Sequence, residues 1–96
     1  MERIDPATGD ALEPVPDTSE EEIDAALDRV AETFETWRER PIGERQRLLA
    51  AAADVLRENT EEYAELMTRE MGKPISGARS EVEKCAWVCE IGRAHV

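Results

Sequence analysis

Glu44-Arg45-Gln46-Arg47-Leu48-Leu49-Ala50-Ala51-Ala52-Ala53-Asp54-Val55-Leu56-Arg57-Glu58-Asn59-Thr60-Glu61-Glu62-Tyr63-Ala64-Glu65-Leu66-Met67-Thr68-Arg69-Glu70-Met71 is the longest sustained helical signal in the chain. Apolar side chains recur at Leu48, Leu49, Ala52, Val55, Leu56, Tyr63, Leu66, Met67 and Met71, the three-and-four spacing that lays one stripe along one face of a helix. Strong helix formers fill the positions between them. Gly72, followed by Lys73 and Pro74, supplies the stop, because glycine accepts the left-handed capping conformation and proline cannot continue the hydrogen-bond ladder. The pattern predicts one long amphipathic helix over residues 44–71, with an apolar stripe that needs a partner.

Composition bounds what that partner is. Ninety-six residues make one small domain at most, and a chain of this size buries only a modest core. The 23 acidic and 12 basic residues give a formal charge of −11, which excludes nucleic acid and anionic membrane as partners, since both require a basic face. Lysine occurs only at Lys73 and Lys84, and arginine carries the remaining positive charge. That pattern fits either a salt-rich source or ordinary acidic solubility. No apolar run is long enough to span a bilayer, and Met1 to Pro6 lacks the charged and apolar regions of a secretory signal. The cytoplasm is the expected compartment.

Towards the N-terminus, Arg3-Ile4-Asp5 and Asp10 to Val15 flank Pro6-Ala7-Thr8-Gly9, with proline where a type I turn wants a fixed φ and glycine where a bulge wants a positive one. This predicts a short β-hairpin whose second strand stops near Val15 or lies at an edge, because Pro14 and Pro16 cannot donate to a ladder. Thr18-x-x-Glu21 and Ser19-x-x-Glu22 both fit a capping box. The helix they open, about residues 19–39, carries the stripe Ile23, Leu27, Val30, Phe34 and Trp37. Pro41 ends it, and the short Ile42-Gly43 bridge predicts an antiparallel pair in which this stripe faces that of the long helix.

Beyond Pro74 the sequence predicts a Ser/Gly connector and a third helix, about 76–90, with Ser80-x-x-Glu83 as its cap and Ala78, Val82, Cys85, Ala86 and Cys89 as its stripe. The last six residues, Ile91-Gly92-Arg93-Ala94-His95-Val96, lack that periodicity, and one frame of a widely used sequencing adapter encodes the same hexapeptide. Residues 91–96 are therefore read as an extraneous tail on a cut chain.

Several constellations invite a chemical reading. Glu20-Glu21-Glu22 resembles a metal cluster in composition but sits where a helix start wants acids, with no further ligand to complete a shell. Gly72-Lys73 lacks the upstream glycine and following hydroxyl of a phosphate loop. Cys85, Cys89 and His95 are too few and too uncertain for zinc. The two cysteines, four apart, read as small buried hydrophobes; as nucleophiles they have no neighbouring base. Trp37 and Trp87 read as packing anchors. No glycine-rich dinucleotide fingerprint follows a strand. No catalytic, cofactor-binding or metal-binding residue is assigned.

Asp5-Pro6-Ala7-Thr8-Gly9-Asp10, the capped helix through Phe34 and Trp37, Glu44-Arg45, and above all Glu70-Met71-Gly72-Lys73-Pro74 together resemble, in order and spacing, the N-terminal region of the aldehyde dehydrogenase superfamily. Glu81-Val82-Glu83-Lys84-Cys85-Ala86-Trp87-Val88-Cys89-Glu90 is similar to the succinate-semialdehyde dehydrogenase branch. The resemblance covers residues 3–90, and it departs from the family at Asp5, where asparagine is usual before the proline.

The resemblance implies a mostly α fragment, a β-hairpin plus three helices, that forms the N-terminal portion, residues 1–90, of a much longer α/β dehydrogenase. It implies a homodimer or homotetramer using NAD or NADP, and a cysteine nucleophile, a glutamate base and cofactor contacts that all lie downstream of Glu90. The chemistry implied is thiolate attack on an aldehyde, hydride transfer and thioester hydrolysis. This chain alone is expected to bind no cofactor, to be inactive, and to be molten or aggregation-prone through its uncovered stripes. The alternatives are a dehydrogenase for another aldehyde and a stand-alone acidic helical interaction module.

Overall fold

The computed structural model describes the backbone of residues 1–95 and the side chains through Ile91. The elements in chain order are β1 (Arg3–Ile4), β2 (Ala11–Leu12), α1 (Glu20–Trp37), α2 (Ile42–Glu58), α3 (Thr60–Met71) and α4 (Ile75–His95).

The hairpin forms where the turn residues place it. Arg3 pairs with Leu12 and Ile4 with Ala11, antiparallel. The Asp5 N–H donates to the Asp10 carbonyl at 2.9 Å, and the Asp5 carbonyl accepts from the Gly9 N–H at 2.8 Å. The Asp5 carboxylate also accepts from the Ala7 N–H at 2.9 Å, a local side-chain turn of the kind aspartate favours. Gly9 takes a φ of 78°. The second strand is shorter than the sequence suggested, ending at Leu12 before the two prolines. Met1 and Val15 nevertheless continue the pairing, since the Val15 N–H donates to the Met1 carbonyl at 3.0 Å and the Met1 ammonium donates to the Val15 carbonyl at 2.5 Å.

Of the two candidate caps, Ser19 opens α1. The Glu22 N–H donates to Ser19 Oγ at 3.2 Å and the Ser19 N–H to Glu22 Oε2 at 3.1 Å, the reciprocal capping box. The expected pairing of this helix with the next does not occur. Among the described residues α1 packs against no other element, and Ile23, Leu27, Val30 and Phe34 lie exposed along it.

The predicted long helix is two helices. Asn59, at φ −112° and ψ 22°, separates α2 from α3, and the local side chains explain the break. Asn59 Nδ2 donates to the Val55 carbonyl at 2.8 Å. Thr60 Oγ1 donates to the carbonyls of Leu56 and Arg57 at 3.3 and 2.8 Å. These polar side chains satisfy carbonyls that the next helical turn would otherwise occupy, which is how Asn and Thr compete with a helix interior. The stop after Met71 is as read, with Gly72 at φ 72° donating its N–H to the Thr68 carbonyl at 2.9 Å.

The last helix begins earlier and ends later than the sequence suggested. The Ala78 N–H donates to the Pro74 carbonyl at 2.9 Å, so Ser76 and Gly77 lie in the first turn of α4 rather than in a connector. Ser80 is inside the helix and is not its cap. The helix runs through His95, past the expected end at Glu90.

The partner of α2 is α4, which lies across both α2 and α3. The buried core is Ala53 of α2, Ala64 of α3, and Ala78, Val82 and Ala86 of α4. Small side chains at such a seam let helix axes approach closely. Ion pairs flank it: Glu61 of α3 receives Arg79 of α4 at 2.7 Å, and Arg57 of α2 reaches Glu83 at 3.1 Å and also Glu90. The Cα envelope measures 48 × 36 × 17 Å.

Candidate functional site

The corner where α3 ends is the most closely built feature of the chain. Arg3 of β1 donates from Nη1 to Glu70 Oε1 at 2.5 Å and from Nε to the Glu13 carbonyl at 2.8 Å, which fixes the hairpin against the end of α3. A Cβ added at Gly72 would stand 3.1 Å from Pro6 Cγ. The hairpin turn thus rests on the bare backbone of the helix cap. Lys73 Nζ, on the other side, donates to Glu81 Oε2 at 2.5 Å. The Asp5–Asp10 turn and the Glu70–Pro74 segment, separate in sequence, meet in space. Sequence reasoning named both and missed that they touch; the signal was Gly72, whose lack of a side chain serves the contact as well as the cap.

This corner does not fit a dinucleotide phosphate. Gly72 caps the C-terminal, partly negative end of α3, Pro6 covers it, and Lys73 is taken by Glu81.

The other candidate residues are equally occupied or unassembled. Glu22 belongs to the Ser19 cap. Glu70 holds Arg3, and Glu83 holds Arg57 bidentately, with Arg57 Nε and Nη2 both reaching it. Among the described residues no group of three His, Cys, Asp or Glu side chains is placed to hold a metal, and the His95 side chain lies outside them. Cys85 and Cys89 are free thiols, and the expected burial does not hold: Cys85 is exposed and Cys89 half-buried, while Ala78, Val82 and Ala86 of that stripe are buried. Neither tryptophan is a buried anchor. Trp37 is half-buried with the Arg40 guanidinium 5.8 Å from its ring centre, a cation–π contact, and Trp87 is 54 % exposed.

The electrostatics describe a scaffold. The hydrogen bond from Arg79 holds the Glu61 carboxyl below its ordinary range, and Glu61 in turn raises Arg79. Hydrogen bonds to Glu90 and then Glu83 raise Arg57. These groups are solvent-facing, so each pair contributes little to stability by itself; their geometry sets how α4 lies on α2 and α3.

What remains is apolar surface. One face is the α1 stripe already described. The other is a cleft lined by Leu56, Tyr63, Leu66, Met67, Val82 and Cys85, where α2, α3 and α4 converge. Contiguous exposed apolar surface of this kind marks an interaction face. Among the described residues no helix is long and apolar enough to cross a membrane.

The model of the aldehyde dehydrogenase family matches residues 1–95. A probable NADP-dependent succinate-semialdehyde dehydrogenase of Synechocystis sp. is 45 % identical over 86 residues, 90 % of this chain and 19 % of its own length. An NAD(P)-dependent succinate-semialdehyde dehydrogenase of Escherichia coli is 43 % identical over 95 residues, 95 % of this chain and 21 % of its own. The crystal structure of a glyceraldehyde-3-phosphate dehydrogenase of Methanocaldococcus jannaschii, complexed with NADP, superposes with a TM-score of 0.92 at 29 % identity, covering 99 % of this chain and 21 % of that one. The chain spans about a fifth of the length of the relatives it matches.

Proposed function

The chain belongs to the aldehyde dehydrogenase family, and from that premise we propose that it is the N-terminal scaffold of an NAD(P)-dependent dehydrogenase that oxidises succinate semialdehyde to the carboxylate in the cytoplasm. The identity of 45 % to the Synechocystis relative across nearly the whole chain supports the substrate class. The two uncovered apolar faces support the scaffold role. Its partner is the remainder of the dehydrogenase chain, assembled as a homodimer or homotetramer. The nucleophile, the base and the cofactor contacts belong to that remainder, and residues 1–90 position the elements that carry them.

A dehydrogenase for another aldehyde is the second reading, favoured by one observation: the superposable M. jannaschii enzyme is a glyceraldehyde-3-phosphate dehydrogenase, so this scaffold accompanies more than one substrate.

A chimera tests the proposal. Residues 1–90 replace the matching segment of the Synechocystis enzyme, and NADPH formation is followed with succinate semialdehyde. The expected outcome is a soluble oligomer with activity within about tenfold of the parent, a loss of no more than about 1.4 kcal/mol in transition-state stabilisation. An insoluble or inactive chimera beside an active parent contradicts the scaffold role.

A further inference from the structure

No further inference is drawn: the strongest candidate, the exposed apolar stripe Ile23, Leu27, Val30 and Phe34 along α1, is an unpartnered helix face and nothing in the structure shows what covers it.

Discussion

Gly72 joins two requirements in one residue. Its φ of 72° suits glycine and strains other residues, and a would-be Cβ 3.1 Å from Pro6 Cγ is a tight contact that the proline must give way to admit. Gly72→Ala in the chimera is therefore expected to cost about 1–3 kcal/mol locally, read as faster amide exchange at the α3–α4 corner and β1 while α1 is unchanged. Unaltered exchange at the corner would show that the hairpin contact is not a constraint. The Glu61–Arg79 pair gives a pH dependence with a definite sign. Glu61 has a lowered pKa in the folded state, so its contribution is present above the ordinary glutamate range and is lost as pH falls through the folded-state value. Docking of α3 on α4, followed by exchange between neutral pH and pH 3, is expected to weaken on the acid side. The substitution Arg79→Met should flatten that part of the profile; an equally steep profile would place the acid sensitivity elsewhere.

At the scale of the element, the deciding contact is α4 across the bend between α2 and α3. Its seam is alanine from three helices around Val82, which is fully buried. Ala86→Leu is expected to overpack it by about 1–3 kcal/mol, measured as a lower melting temperature of the chimera, whereas Ala51→Leu on the exposed side of α2 should leave it unchanged. The periodicity of large apolar residues located the helical stretches and the stop after Met71, since Gly72 and Pro74 act locally, but it merged α2 and α3 into one helix. It misassigned the buried face of α2 and α3, where the larger residues Leu48, Val55 and Leu66 remain half exposed while Ala53 and Ala64 are buried; on α4 the predicted stripe residues Ala78, Val82 and Ala86 are buried as expected. The bend at Asn59 was hidden for a related reason: Asn and Thr are tolerated in helices, and only their side-chain bonds to Val55, Leu56 and Arg57 reveal a break. The antiparallel α1–α2 pair was inferred from loop length alone, and a short loop does not specify which face of a neighbour is available. Residues of the motifs that carry the family resemblance make structural contacts, Pro6 on Gly72 and Arg3 on Glu70.

Stable domains pack two or more layers around a core, and here, among the described residues, five buried side chains, four of them alanine, form the core of a molecule 17 Å across in its shortest direction. The apolar α1 stripe and the α2–α3–α4 cleft face outward. The charge of −11 opposes self-association by repulsion but does nothing to complete the packing. The helices are held by local hydrogen bonds, caps and a narrow seam, and on the proposed scaffold reading cooperative stability is expected only once those outward faces are covered.

Urea unfolding of the chain alone, followed by circular dichroism in the far and near ultraviolet, tests that claim most directly. A scaffold portion is expected to show helical signal, weak near-ultraviolet signal and a broad, gradual loss without a shared midpoint. A sharp two-state transition, coincident in both signals and belonging to a monomer, would contradict it and leave a self-sufficient helical module in its place.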